Sequence, residues 1–288
     1  MMHRKQILAL LIFLFHAVSA QAADQAVSNK QQYHLFHPTP VELMREMSTD
    51  RPDKTESPYT VDAGHVQVEM SLIDHAYDHH NPDEPQTRVD TFSYAPANFK
   101  IGLLNNADLQ VIINPYAHEK TREDGVHSTK EGFGDMQTRL KVNIWGNDGG
   151  QTALALMPFI KFPTDRGHFG NDDMEGGIIV PLAVGLAAEW NMGLMAEVDL
   201  NKNKSDDNYH REYIHSITFG HAIVGGLSGY VEFFSHISTE EDAKLVATVD
   251  AGLTYALTEY IQLDMGINIG ATAAADDLNP FCGFSMRY

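Results

Sequence analysis

The sequence is poor in cysteine, in basic residues and in long apolar runs. Cys282 is its one cysteine, so no intramolecular disulfide can form and stability must come from the fold itself. It has 20 Lys and Arg against 39 Asp and Glu, a formal net charge of −19. We therefore expect no nucleic-acid partner, because phosphate contacts need cations. Beyond residue 22 no apolar run reaches the ~20 residues of a membrane-spanning helix; the longest, 178–188, contains Pro181.

The amino terminus has the features of a secretory signal peptide, residues 1–22. A basic head precedes an apolar stretch from Ile7 to Phe15, and Ala-Gln-Ala at 20–22 forms a small-x-small cleavage site. The mature chain is expected to begin near Ala23, outside the cytoplasm. Because the peptide carries two cations and no acid, its removal takes the formal charge from −19 to −21.

From Gly64 onward, apolar and polar residues alternate with the period of a half-buried β-strand. At the carboxyl terminus Phe284, Met286 and Tyr288 alternate with small or charged residues. A strand that stops there has no following turn and must pair with an earlier strand. Gly283, Met286 and Tyr288 also have the form Gly-x-x-apolar-x-aromatic. That form resembles the signal by which the barrel-assembly machinery recognises bacterial outer-membrane barrels.

Twelve alternating segments of about ten residues can be counted, the length of a tilted membrane-spanning strand. They start near residues 64, 88, 108, 133, 151, 174, 192, 209, 228, 243, 259 and 279. Short connections (105–107, 146–150, 191–192, 225–227 and 258–259) alternate with longer polar ones (75–87, 120–131, 165–173, 202–208, 239–242 and 273–278). The sequence thus predicts an all-β fold, a transmembrane antiparallel up-and-down β-barrel of about twelve strands. Its short turns and both termini would be periplasmic and its longer loops extracellular.

Two soluble folds, an antiparallel sandwich and a lipocalin-like barrel, would show the same alternation. The membrane barrel is favoured because the polar faces mix Gly, Asn, Asp, Lys and Arg, which suits a wet interior. Proline lacks a ladder donor, so bulges or strand ends are expected at Pro115, Pro158 and Pro181. Trp145 lies near a predicted periplasmic strand end, but the alternation puts it at an inward-facing position. A bulge there would account for this. An aromatic girdle is expected at the periplasmic ends, from Trp190, Tyr255 and Tyr288.

After the signal peptide the chain divides into a polar N-terminal segment, 23–62, and the barrel, 63–288. The segment is rich in turns and prolines, and its default location is the periplasm; the alternative is a plug folded into the barrel mouth. The spacing of Val41, Met44 and Met47 predicts a short amphipathic helix. In the alternative of a packed barrel interior without transport, these three residues would form a plug against the apolar wall.

Four stretches carry a resemblance to a known family: 49–59 (Thr-Asp-Arg-Pro-Asp through Ser-Pro-Tyr), 98–103 (Asn-Phe-Lys-Ile-Gly-Leu), 139–150 (Arg-Leu-Lys-Val-Asn through Trp-Gly-Asn-Asp-Gly-Gly) and 276–281 (Asp-Asp-Leu-Asn-Pro-Phe). They resemble the bacterial outer-membrane "transporter" family named for the meta-cleavage pathway of phenol degradation. The resemblance covers essentially the whole mature chain. It implies uptake of aromatic compounds and carries no defined catalytic or binding residues.

Residues at the inward-facing positions of the strands are candidates to line the lumen, where they would form one charged wall and one apolar wall. They are Glu69, Lys100, Arg139, Lys141, Met157, Phe159, Glu197, Asp199, Asp250, Asp264 and Arg287. Because buried charges need partners, Arg139, Lys141 and Arg287 are expected to pair with lumen carboxylates.

These features predict a channel of the cell outer membrane for passive uptake of a small solute, such as an aromatic compound with a polar end. The main alternative is a structural or envelope-interaction protein with a packed interior and no transport. The third is a lipid hydrolase, since His236 and Ser238 are two residues apart on one strand face. No third member of a catalytic triad is identifiable, and no catalytic residue is assigned.

No metal site or cofactor is assigned. Six residues crowd one outer loop, but their spacing matches no closed metal site and favours a solvated loop: His75, Asp78, His79, His80, Asp83 and Glu84. The acidic loops at 172–173, 206–207 and 240–242 are expected to meet divalent cations at the lipopolysaccharide surface. The expected partners are outer-membrane lipid, lipopolysaccharide, the barrel-assembly machinery and a small-molecule solute.

Overall fold

A computed structural model describes residues 30–80, 86–165, 169–170, 173–203 and 206–288. The proposed signal peptide, Asp83, Glu84 and Asp172 lie outside these ranges. Within them the chain forms one turn of 3-10 helix, Val41–Leu43, and fifteen strand segments. None of the described helical residues forms a helix long and apolar enough to cross a membrane.

The fifteen strand segments follow a period of two: outside the polar hairpin at 116–132, apolar residues point outward and mostly polar or small residues point inward. They are β1 Val66–Asp78, β2 Thr87–Tyr94, β3 Ala97–Leu104, β4 Ala107–Ile113, β5 Tyr116–Glu123, β6 Val126–Gly132, β7 Met136–Trp145, β8 Thr152–Phe162, β9 Glu175–Gly185, β10 Trp190–Lys202, β11 Tyr209–Val224, β12 Leu227–Ser238, β13 Val246–Thr258, β14 Ile261–Gly270 and β15 Leu278–Arg287.

The segments form a closed barrel of twelve antiparallel strands, which confirms the predicted fold. From β7 to β15 each strand pairs with the next, and β15 returns to pair with β1. The lower half of β1 pairs with β3 and its upper half with β2. The pairs β2–β3, β4–β5 and β6–β7 each count as one strand of the wall, interrupted near Pro96, near Pro115 and at 133–135.

Strand β15 closes the barrel against β1, as the sequence predicts. Arg287 lies opposite Gln67, and Ser285 lies opposite Glu69. The backbone N–H of Tyr288 donates to the carbonyl of Val66 at 2.8 Å. The last residue therefore participates in the closing seam at the end where the N-terminal segment joins β1.

The connection expected as a polar loop at 120–131 is instead a regular hairpin, so that prediction is wrong. Asp124 and Gly125, with φ of 48° and 83°, form the two-residue turn between β5 and β6. Positive φ at both positions is typical of the type I′ turn that suits strand twist. Segment β6 is the free edge of the sheet. Upper β1 (73–78), β2, β5 and β6 thus form a flap that continues the wall beyond the barrel rim.

The local irregularities at Trp145 and Pro115 agree with the prediction, whereas Pro158, Pro181 and one tight turn differ from it. The β7–β8 register shifts between Asn143 and Trp145, and this bulge turns the Trp145 ring outward, 48% exposed. Pro115 lies at a strand end, but Pro158 and Pro181 lie inside β8 and β9 without a register shift. Each proline lacks the N–H that would pair with one neighbouring strand, but its pairing with the strand on the other side keeps the register unchanged. The tight turn expected at 191–192 is at 186–189, immediately before Trp190.

A band of large apolar side chains covers the outward face of the barrel. Val231, near the middle of β12, is 53% exposed, and it lies opposite Phe219 and Ala251 on the neighbouring strands. The aromatic rings of Trp190 and Tyr255 are also exposed, near the short turns. Such a band is what a lipid-facing wall requires.

Replacing Val231 with arginine should lower the free energy of unfolding by about 2–4 kcal/mol, because the charge would lie in the hydrocarbon layer. Equilibrium guanidinium unfolding in lipid vesicles measures this. The matched control is Val126→Arg in the flap, where the side chain is 70% exposed and the change should be close to zero. Equal effects of the two substitutions would contradict the assignment of the band to lipid.

Candidate functional site

Residues 49–62, which precede β1, lie inside the barrel and not in the periplasm, the default location expected from the sequence. The N–H of Val61 donates to Asp108 of β4 at 2.9 Å, and the N–H of Thr55 donates to Glu232 of β12 at 2.8 Å. Arg51 reaches Asp264 of β14. These strands lie on different sides of a closed barrel, so residues 49–62, here termed the inserted segment, cross its interior.

Asp50 is the centre of the buried charges. Its carboxylate accepts hydrogen bonds from Lys141 at 2.7 Å and from Lys100, and its own N–H donates to Glu69 at 3.0 Å. Lys100 also forms an ion pair with Glu69. Lys100, Lys141 and Glu69 are at most 2% exposed. Two ammonium groups and two carboxylates thus balance one another in a site with almost no access to water.

Arg51 fixes the inserted segment to the seam side of the barrel. Its guanidinium donates to Asp264 at 2.6 and 3.2 Å, a two-point contact, and to the Ser71 hydroxyl at 2.6 Å. A Cβ at Gly283 would lie 2.5 Å from Arg51 Nη2 and 2.3 Å from the Met70 carbonyl oxygen. Gly283, which the sequence assigns to the assembly signal, therefore also makes room for this guanidinium.

Lys54 and Thr55 fix the segment to the next strands. Lys54 Nζ donates to Thr248 at 2.8 Å and lies 3.3 Å from Asp250. The N–H groups of both residues donate to the Glu232 carboxylate, at 2.9 and 2.8 Å. The Thr55 hydroxyl lies 2.6 Å from that of Ser216. One carboxylate on the wall thus holds two consecutive backbone amides of the segment.

The segment returns to the periplasmic end along the opposite wall. Arg139 pairs with Glu56, and Asn143 donates to the Pro58 carbonyl at 2.9 Å. At the mouth, Arg287 donates to the Arg45 carbonyl at 2.8 Å and lies 3.5 Å from Asp62.

A further ion pair at the mouth joins the start of the described chain to a periplasmic turn. Lys30 lies 2.6 Å from Asp148, and Arg45 lies 2.9 Å from the same carboxylate. Burial acts to raise the pKa of Asp148, but hydrogen bonds from Lys30 and Asn105 outweigh it and hold this pKa below its ordinary value. The Asp148 carboxylate therefore stays ionised and attracts both cations.

Sequence reasoning expected the buried wall cations to meet wall carboxylates. The structure instead pairs Arg139, Lys141 and Arg287 with acids of residues 50–62. Conversely, the wall acids Asp250 and Asp264 form ion pairs with Lys54 and Arg51 of the inserted segment. The missed signal is the run of charges in 50–56, in which Asp50, Arg51, Lys54 and Glu56 are opposite in sign to inward groups on the strands. Glu232 was also missed, although its place between two outward apolar residues has inward parity.

The alternative of an apolar plug formed by Val41, Met44 and Met47 is wrong. Val41 is 58% exposed in the 3-10 turn, and the helix stops at Leu43. Met44 and Met47 line a cavity of about 450 Å³ at the periplasmic mouth, together with Tyr260 and Arg287. A polar segment enters the barrel instead because the wall presents charges that only polar groups can satisfy.

The apolar wall is present and lies beside a carboxylate. Met157, Phe159, Ile179 and Met195 form a buried cluster, against which Ile214 and Phe234 pack. A Cβ at Gly177 would meet both Asp199 Oδ1 and the Phe159 ring, at 2.4 and 2.8 Å, so the two groups are neighbours. Asp199 Oδ1 is buried and has no hydrogen-bond partner among the described residues. Glu197, two residues before Asp199, is on the same strand face.

The other candidate sites have different partners. His236 Nε2 lies 2.9 Å from Glu212, and the Ser238 hydroxyl accepts the N–H of Glu240 at 3.1 Å. Nε2 of His75 and Nε2 of His79 each lie about 3 Å from an oxygen of the Asp90 carboxylate. The described parts of the chain contain no group of three or more potential ligands arranged for a metal ion.

The ion pair between Arg51 and Asp264 can be reversed as a test. Arg51→Asp alone should leave two buried carboxylates facing each other and destabilise the protein by about 3–5 kcal/mol. Asp264→Arg in the same chain should restore at least half of that loss. Guanidinium unfolding in lipid vesicles measures it, and Asp207→Asn, on a fully exposed side chain, serves as the neutral control. A double variant no more stable than the single one would contradict a direct pair.

Comparisons with solved structures agree with the barrel. An outer membrane channel of Pseudomonas putida F1 matches at 12% identity and a TM-score of 0.54, covering 84% of this chain and 100% of that one. The CymD monoaromatic hydrocarbon channel matches at 6% identity and 0.41, covering 77% and 87%. The NanC porin matches at 11% identity and 0.46, covering 77% and 98%. Only the first of these likenesses has a TM-score above 0.5, and at 12% identity it shows the fold alone.

No curated protein sequence matches the chain. A family model described as the MetA-pathway of phenol degradation matches residues 49–288. The match starts at the first residue of the inserted segment and ends at the closing strand. It confirms the resemblance seen in the sequence, and the chain belongs to this family of the MetA-pathway of phenol degradation, with the fold of an outer-membrane β-barrel.

Proposed function

We propose that this protein is an outer-membrane channel for passive uptake of a small solute with an apolar body and a polar end, and that the inserted segment closes it. The observation that carries the proposal is the division of the interior. Ionic groups on the wall are matched by the segment, whereas the cluster of Met157, Phe159, Ile179 and Met195 lies beside the free carboxylate oxygen of Asp199.

The chemistry of the two walls favours an amphipathic, aromatic-sized solute. Aromatic and thioether side chains bind apolar rings through dispersion and area burial. Asp199 Oδ1, which has no hydrogen-bond partner among the described residues, can orient the polar end of the solute. The family's description, which refers to phenol degradation, agrees with this solute class.

The inserted segment is suited to leave the interior because polar contacts hold it. Charged groups gain strong hydration when water enters, so exchanging ion pairs for water has a small net free-energy change compared with exposing an apolar plug. Lys100, Lys141, Arg139, Asp250 and Asp264 would then line a wet lumen.

A disulfide between the segment and the wall tests this gate. The Thr55 and Ser216 side-chain oxygens lie 2.6 Å apart, so cysteines there can form a bond of about 2.05 Å. In a Cys282→Ser background, Thr55→Cys/Ser216→Cys should show no planar-bilayer conductance when oxidised. Conductance steps should appear after reduction, when liposomes should also take up radiolabelled benzoate faster than glucose.

The single Thr55→Cys variant is the matched control, and oxidant should not change its conductance. Equal conductance of the oxidised and reduced double variant would contradict gating by the segment. Benzoate uptake no faster than glucose uptake would contradict the solute class.

The second candidate is an envelope protein without transport. It is favoured by the many buried ion pairs that hold residues 50–62 in place, since such a network can serve stability alone. This candidate predicts neither conductance nor solute uptake in any redox state of the double variant.

A further inference from the structure

The flap carries a continuous polar and aromatic face. Because side chains on a strand alternate between faces, every second residue from Arg88 to Tyr94 lies on one side of β2. The register places Arg122, Lys120, His118 and Tyr116 of β5 directly opposite them. The members of this face are Arg88, Asp90, Phe92 and Tyr94 on β2, Tyr116, His118, Lys120 and Arg122 on β5, and His127, Thr129 and Glu131 on β6.

This face is the outward one. Phe92 and His75 stack with ring centroids 4.1 Å apart. Both line an apolar groove of about 750 Å³ that also includes Leu253 and Met265, which belong to the lipid-facing band. The flap face therefore continues the lipid-facing surface past the rim of the barrel.

The carboxylates on this face already have partners. Asp90 accepts hydrogen bonds from His75 and His79, at 3.0 and 2.9 Å. Glu131 accepts the Tyr116 hydroxyl at 2.7 Å, and this bond holds the pKa of Glu131 below its ordinary value. Neither acid forms an ion pair with Arg88, Lys120 or Arg122.

Three cations on the same face have no partner among the residues that the structure describes. The Arg88, Lys120 and Arg122 side chains are exposed, and none of them forms a hydrogen bond or ion pair with another described residue. Arg88 lies directly opposite Arg122 in the β2–β5 register. Like charges at directly opposite positions destabilise a strand pair, so an anion between the two guanidinium groups would relieve a repulsion. The arrangement is notable in a chain whose formal charge is −19.

We propose that the outward face of the flap binds a phosphorylated, acylated glycolipid of the outer leaflet. Arg88 and Arg122 hold a phosphate group as two guanidinium forks, and Lys120 adds a third positive charge. An acyl chain lies in the apolar groove beside Phe92. Phe92 is four positions from Arg88, roughly 13 Å along a strand, which suits a lipid with a large head group. This site is independent of the proposed transport.

Binding of bisphosphorylated lipid A to the detergent-solubilised full chain tests the site. By isothermal titration, Arg88→Gln/Arg122→Gln should weaken binding at least about tenfold, since two charge-assisted contacts are lost. Arg88→Lys/Arg122→Lys should recover part of the affinity. Without lipid, the Gln variant should melt no lower than the wild type, because the repulsion is gone; this separates loss of binding from misfolding.

Three controls distinguish other sources of binding. Asp206→Asn/Asp207→Asn, in an acidic outer loop, should bind lipid A like the wild type, and chelation of divalent cations should leave the affinity unchanged. Phosphatidylglycerol and inorganic phosphate should bind at least tenfold more weakly. Unchanged affinity of the Arg88→Gln/Arg122→Gln variant, abolition of binding by chelation, or equal binding of phosphatidylglycerol would each overturn the proposal.

Discussion

The need to pair charges inside a closed barrel decides how this chain is arranged. Lys100 and Lys141 are almost fully buried on the wall, and an unpaired buried ammonium would cost several kcal/mol. The wall carboxylate Glu69 contacts Lys100, but Lys141 is matched by Asp50 of the inserted segment. Four charged residues of the segment, Asp50, Arg51, Lys54 and Glu56, are each opposite in sign to a wall group that they reach, so placing the segment in the interior satisfies both.

Closure of the barrel makes this insertion possible. Pairing of β15 with β1 brings the end of the inserted segment, at Asp62, to the periplasmic mouth, where Arg287 can reach it. A Cβ at Gly102 would lie only 2.0 Å from the Asp62 carbonyl oxygen, so glycine there lets the segment run directly against β3. The chain then reverses through Gly64, whose φ of +77° favours glycine, and enters β1. The closing seam between β15 and β1 and the junction of the inserted segment with β1 therefore lie together at the periplasmic mouth.

Strand number, closure and lipid-facing parity could be predicted because each depends on a local period of two residues. The flap was missed although Asp124-Gly125 is a strong hairpin signal, because the polar strands around it lack apolar alternation. The ion pairs that fill the barrel interior could not be predicted from such a local pattern. Arg51 and Asp264 are 213 positions apart, and no local pattern records which acid meets which base. Inward parity assigned Arg139 and Asp250 to the interior, but their partners come from a segment whose composition resembles a solvated linker.

The inserted segment is an ordered part of the barrel, held by side chains and backbone amides together. The amides of Asp50, Lys54 and Val61 donate to Glu69, Glu232 and Asp108, and hydrogen-bonded amides inside a protein exchange slowly. Hydrogen–deuterium exchange of the full chain in lipid vesicles measures them directly. We expect these three amides to exchange at least a hundredfold more slowly than those of an exposed loop such as 206–208. Exchange of all three at the loop rate would show that the segment does not occupy the interior and would contradict the account.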